Sequence, residues 1–223
     1  MEFLKLLAET FPRFVPAVWV TVKITVLGLL LAMPLGLISC FMKISKIKIL
    51  QLISDVFVWV IRSTPMIVQA FFLYLGLPQL TGGKIDVSVA SVIVIMVNAG
   101  AYLSEIFRSG IQSIDKGQME AARSLGMGVS MSMFYIILPQ AIRVVIPSVV
   151  NQFIISFKDT SILSVIGLSE IVKKGKEIIA YNYLSFQMWI IVAIYYVIIV
   201  SVLTMGARWV EQKLKPKESV ENA

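Results

Sequence analysis

An all-α integral membrane protein with about five transmembrane helices is the fold class this chain predicts, on three observations. Hydrophobic residues make up 58% of its 223 positions and charged residues only 15%, where soluble domains carry about a quarter charged. Mean hydropathy is +0.87. Uncharged runs of membrane-crossing length recur between basic loops, and a bilayer core about 30 Å thick needs about 20 apolar residues per helix.

The elements follow in chain order. Phe3, Leu4, Leu7 and Phe11 predict a short helix lying at the interface. That stretch lacks a basic leader and a cleavage site, so a removed signal peptide is not expected. Span one, roughly 15–42, is free of charge between Lys23 and Lys43. Span two, roughly 51–77, carries Asp55 and Arg62, and Pro65 predicts a kink because it removes a backbone donor. Span three, roughly 87–107, ends in "AYLSEIFR", and span four, roughly 135–157, contains Pro139 and Pro147. Span five, roughly 185–207, precedes Arg208. The connection 109–133 is too polar to span. With no internal repeat, low-complexity tract or linker, residues 1–223 are expected to form a single transmembrane domain.

Several function classes drop out. The chain has no histidine and one cysteine, Cys40, which removes a disulfide framework and makes a zinc, haem or iron–sulfur site an unexpected one. No Ser-His or Cys-His catalytic pair is possible. No GxxxxGK[ST] loop occurs, so ATP hydrolysis by this chain alone is not expected. The net charge of +7 reads as cytoplasmic-loop lysine and arginine, not as a nucleic-acid surface. Placing the loops 43–50 and 108–134 and the C-terminal end inside collects Lys43, Lys46, Lys48, Arg108, Lys116, Arg123, Arg143, Arg208, Lys213, Lys215 and Lys217 there. The other side holds Lys5, Arg13, Lys84, Lys173, Lys174 and Lys176. Eleven against six predicts the N-terminus outside and the C-terminus inside.

A charged side chain at bilayer depth costs about 2.5–3.5 kcal/mol on insertion scales, so each one needs a reason. Arg62, Glu105, Lys158 and Asp159 are the candidates. Asn98, Tyr102 and Glu105 stand at i, i+4 and i+7 and share one helix face, with Ser91 and Ser109 extending it and the small "AGA" 99–101 opposite. The stripe lines a cavity, or it joins helices with Glu105 pairing Arg108. In "ISFKDTSILSVIG", Asp159 is placed to cap a new helical piece, followed by Thr160 and Ser161. A helix broken at membrane depth presents unpaired dipoles to a ligand. An amino acid would meet Glu105 or Asp159 with its ammonium group, and Arg62, Lys158 or helix-end N–H groups with its carboxylate. Arg62 has a second reading, which is to satisfy carbonyls loosened by Pro65.

Within 109–133, "GQMEAARSLGM" predicts a short helix ended by Gly126 in the left-handed conformation. Met119, Ala122 and Leu125 or Gly126 would present one thin side to a groove on another protein.

The spacing here carries a resemblance. Glu120-Ala121-Ala122, three residues, Gly126, nine residues, then "IILP" through Pro139 resembles the EAA motif of permease subunits of bacterial ABC importers. "RSTPMIVQ", "AYLSEIFRSGI" and "FKDTSILSVIG" resemble the branch importing polar amino acids, the histidine, glutamine and arginine type, and the likeness covers roughly 15–210. It implies a type I importer permease whose coupling helix, with Glu120, Ala121, Ala122, Leu125 and Gly126, sits in a cleft of a cytoplasmic ATPase subunit. It further implies two permease copies, expected as a homodimer, two ATPases that bind ATP and Mg, and an extracytoplasmic amino acid-binding protein. ATP-driven closure of the ATPases would swing the coupling helices and switch the cavity between its two sides. Arg62, Asn98, Tyr102, Glu105, Lys158, Asp159 and Ser161 are the expected substrate contacts. The competing readings are a secondary transporter or channel that needs no ATPase, and a membrane scaffold for a sensor complex.

Overall fold

The computed structural model describes residues 2–214, and side chains over 3–213. Lys215 and Lys217, counted above on the inner side, lie outside the described residues. The first helix, α1 (Glu2–Ile44), runs unbroken through Pro12, Pro16 and Pro34. The short helix expected at its start is therefore not a separate element but continuous with the helix of span one. Thr10, whose hydroxyl donates to the Leu6 carbonyl at 2.8 Å, and the apolar packing of Phe3, Leu6 and Leu7 hold these first turns in line with the rest.

Span two is broken. Helix α2 (Lys48–Ser63) stops at Thr64-Pro65, and α3 (Met66–Phe71), a π turn (Phe72–Gly76) and α4 (Leu77–Thr81) continue at 104° to it. The straight, kinked span expected from hydropathy is thus a sharp bend, because the residue before a proline is pushed to extended backbone and Thr64 adopts it, at φ −105° and ψ 136°.

Helix α5 (Val87–Gln112) is capped by Asp86, whose carboxylate accepts from the Ser88 and Val89 amides at 2.8 and 3.2 Å. The Val89 and Ser88 amides hold that carboxyl below the usual aspartate range. After α6 (Lys116–Ser124) comes one helical run: α7 (Val129–Ser132), a π turn (Met133–Ile137), α8 (Leu138–Asp159) and a 3₁₀ segment (Thr160–Ile166). Span four therefore begins earlier than 135. Helix α9 (Ile171–Asn182), which hydropathy does not reveal, precedes α10 (Ser185–Leu214). Its lysines are partly committed, with Lys173 donating to the Gly167 carbonyl at 2.6 Å and Lys174 paired with Glu177. Glu170, 0% exposed, caps α9 through the Val172 and Lys173 amides and accepts from the Tyr196 hydroxyl at 3.2 Å. Burial pushes its carboxyl up.

Helix α1 is the spine, and α5 packs along it on small residues. A Cβ built on Gly36 would lie 2.8 Å from the Leu103 Cβ and 3.0 Å from the Gly100 carbonyl oxygen, and one on Gly100 would lie 2.9 Å from Leu35. The "AGA" side of span three is this contact, with Ala99 and Ala101 buried. Gly36→Val is expected to lower thermal stability in detergent by about 1–3 kcal/mol, since the helices must part to admit it. An unchanged melting curve would show that the crossing is looser than this.

Candidate functional site

The bend in span two, the middle of α5 and the end of α8 line an open polar cavity of about 470 Å³. Its wall is made by residues 62–66 at the bend, Asn98 and Tyr102 on α5, Gln152, Ile155 and Asp159 on α8, and Ile162 on the 3₁₀ segment. Four of the seven expected substrate contacts, Arg62, Asn98, Tyr102 and Asp159, meet there. Their elements lie far apart in sequence, and the bend brings the Arg62 end of α2 against the stripe on α5.

The arginine guanidinium stands 5.2 Å from the centre of the Tyr102 ring, a cation–π distance. Among the described residues it has no ion-pair partner within 4 Å, and neither does Asp159. Asp159 also makes no capping bond: the backbone stays helical from α8 into the 3₁₀ segment, so no donors are freed for it to accept. Thr160 instead donates to the Phe157 carbonyl at 2.6 Å. The expected cap is thus corrected to a half-buried carboxylate whose acceptors are open. The loosened carbonyls at Pro65 do not fall to Arg62 either; Thr64 and Gln69 take them.

Glu105 lies elsewhere. Its two oxygens accept from Lys43 at 2.7 Å and from Arg108 at 2.7 and 3.1 Å, and Lys43 also pairs with Asp55 at 2.9 Å. Beside this layer Ser39, Ser54 and Ser104 share hydroxyl bonds of 2.8–3.0 Å that tie α1, α2 and α5 together. Lys158 and Ser161 neighbour Asp159 in the chain but stay off the cavity wall.

Two residues of the site escaped the sequence reading. Gln152 is 5% exposed and heads a second stripe, Gln152, Ser156 and Asp159, with the same i, i+4, i+7 spacing as the one on α5. That repeat was the available signal. Gln69 sits behind the wall and accepts from the Asn98 amide at 3.1 Å; no periodicity marks it.

At the other end of α5 the connecting segment folds as a helix. Asp115 caps α6 through the Gly117 amide at 2.6 Å. Gly126 ends it at φ +84°, with its own amide donating to the Arg123 carbonyl at 2.9 Å and that of Met127 to the Ala122 carbonyl at 3.2 Å. That is the Schellman pattern, in which a residue at positive φ satisfies the last carbonyls of a helix. Ala122, 4% exposed, faces the chain's own helices, so it does not belong to an outward thin side with Met119. The open side is Gly117, Glu120, Ala121, Ser124 and Leu125, and Leu125 is 84% exposed.

These features agree with the comparisons. The model of the family described as binding-protein-dependent transport system inner membrane component matches residues 24–216. The chain is 40% identical over 205 residues to the glutamine transport system permease protein GlnP of Escherichia coli (strain K12), covering 92% of this chain and 94% of that one. It is 36% identical over 207 residues to the arginine transport system permease protein ArtQ of Bacillus subtilis (strain 168), covering 93% and 94%. A solved amino acid ABC transporter with histidines has a chain that superposes with a TM-score of 0.91 at 36% identity, covering 96% of this chain and 99% of that one. The MetNI methionine ABC transporter shares the fold, with a TM-score of 0.73 at 18% identity over 91% of this chain and 96% of that one. The match over residues 24–216, with a bent second span and a capped connecting helix that carries the EAA spacing, places this chain in the family of inner-membrane components of binding-protein-dependent transport systems.

Proposed function

We propose that this chain is the membrane subunit of an ATP-driven importer that carries a polar amino acid through the cavity between α2, α5 and α8. The observation that supports this most is the pair of unpaired charges on one wall. Arg62 offers guanidinium donors and Asp159 carboxylate acceptors, in a volume of about 470 Å³ that suits a small ligand. A free amino acid carries the complementary carboxylate and ammonium, and burying those two groups is tolerable only when both are paired. Asn98, Tyr102 and Gln152 add neutral donors and acceptors for the side chain, and the glutamine and arginine relatives make those two amino acids the first to try. Glu105, Lys158 and Ser161 act at a distance from this contact, Glu105 as the centre of the ion-pair layer that keeps α1, α2 and α5 moving together.

In this reading the N-terminus is outside and the C-terminus cytoplasmic, which puts α6 on the ATPase side. Glu120, Ala121, Leu125 and Gly126 meet an ATPase subunit, while Ala122 anchors α6 to its own chain, so a push on α6 passes through the π turn into α8 and reaches Gln152 and Asp159. ATP and Mg are held by two partner ATPases, two copies of the permease form the path, and an extracytoplasmic binding protein delivers the amino acid. Reconstitution in proteoliposomes with the cognate ATPase and binding protein is expected to give ATP-dependent uptake and none without the ATPase. Uptake that proceeds without the ATPase would replace this reading with a secondary transporter.

A further inference from the structure

The bend of span two and the polar stripe of span three are joined by one side chain. Gln69, on α3, reaches back across the break: its amide nitrogen lies 2.8 Å from the Ile61 carbonyl, 3.1 Å from the Thr64 carbonyl and 3.0 Å from the Thr64 hydroxyl. That hydroxyl already donates to the Val60 carbonyl at 2.9 Å, so it accepts from Gln69. Three acceptors around one nitrogen settle the amide's orientation, because a flipped amide would set its oxygen against two carbonyl oxygens. The Gln69 carbonyl oxygen therefore points at Asn98, whose amide nitrogen donates to it at 3.1 Å.

The consequence reaches the cavity. An asparagine side chain has donors at one end and an acceptor at the other. With one N–H of its amide engaged by Gln69, the Asn98 side chain is held in one orientation, with its oxygen and its second N–H left for other partners. Behind Gln69 the surroundings are apolar, formed by Val60, Val68, Phe72, Leu73, Ile93 and Val94, so on that side no polar group replaces it at the Ile61 and Thr64 carbonyls.

We propose that Gln69 is a positioning residue of the cavity: it holds the Thr64–Pro65 bend closed and, through the same amide, fixes the orientation in which the Asn98 amide meets the substrate. A change at the bend and a change in how Asn98 engages the substrate then belong to one event. The role rests on the amino acid reading of the cavity given above.

The test is a double-mutant cycle on equilibrium binding, with the intact permease–ATPase complex in nanodiscs. The standard amino acids are titrated against the wild-type complex, beginning with L-glutamine and L-arginine, and the tightest binder becomes the probe. Gln69→Leu is expected to weaken it about tenfold, Asn98→Ala by a similar factor, and the double variant no more than the stronger single one, as for residues acting in series. If Gln69→Leu does not assemble, Gln69→Asn, too short to reach both carbonyls and Asn98, is expected to show the same non-additivity. Unchanged affinity in the Gln69 variant, or effects that simply multiply in the double variant, would overturn the role. If Asn98→Ala is silent while Asp159→Ala weakens binding, the cavity reading stands and the role of Gln69 falls. If no amino acid binds the wild-type complex, both fall together.

Discussion

Replacing Gly126 with valine is expected to cut ATP-driven uptake on the order of 10- to 100-fold while the protein still inserts and co-purifies with its ATPase. Gly126 sits at φ +84°, a conformation that costs an ordinary L-residue about 1–2 kcal/mol and a β-branched one more. Space is not the obstacle, since a Cβ there meets no atom within 4 Å. The strain instead undoes the two bonds that satisfy the Ala122 and Arg123 carbonyls, each worth about 0.5–1.5 kcal/mol. A nine-residue helix is too short to survive on propensity alone, so its last turn, with Leu125, loses its fixed direction. Each 1.4 kcal/mol is a factor of ten in the population of the competent form. Gly126→Asn, which tolerates the left-handed region, is expected to keep more than half of the uptake. Glu120→Lys, a charge reversal on the open side of α6, should abolish uptake without any backbone change. Wild-type uptake by Gly126→Val would remove α6 from the coupling path.

Asp159→Ala is expected to weaken amino acid binding by about 2–5 kcal/mol, because it leaves the ammonium group of the bound substrate without its counter-charge. The protein should fold as before, since no hydrogen bond or ion pair of the described residues depends on that carboxylate. Glu105→Ala should do the reverse. It strips Lys43 and Arg108 of a shared partner at 2.7 Å, and thermal stability should fall by about 1–3 kcal/mol, less than for a fully buried pair because all three groups are partly solvated. Calorimetric titration and a melting curve on both variants separate the two roles. Equal losses of binding with no loss of stability would return Glu105 to the cavity.

The two carboxylates show where a linear reading stops. Asn98, Tyr102 and Glu105 share a face of α5, which the i, i+4, i+7 spacing states correctly. Spacing along one helix is silent about what stands opposite each turn. The bend and α8 face Asn98 and Tyr102; Lys43 of α1 faces Glu105, from a position 62 residues away. The stripe is therefore two functions end to end, a cavity wall and an ion-pair clamp. Asp159 was legible as a buried charge, but its expected capping bond required a gap in the helix, and the tightening from α to 3₁₀ closes that gap.

What the sequence determined by itself is whatever depends on neighbours within one or two turns. Apolar run lengths set the membrane class and the spans, Pro65 set the place of the break, and the Gly126 turn chemistry set the end of α6. The motif spacing from Glu120 to Pro139 pointed to the family. Tertiary structure alone decided the 104° angle at that break, the meeting of Arg62 with Tyr102 and Asp159, the inward turn of Ala122, and the link from Gln69 to Asn98 across 29 residues. Those depend on which helices cross and at what depth. Crossing is settled by close contacts such as Gly36 on Leu103 and Gly100, which no periodicity within a single helix encodes.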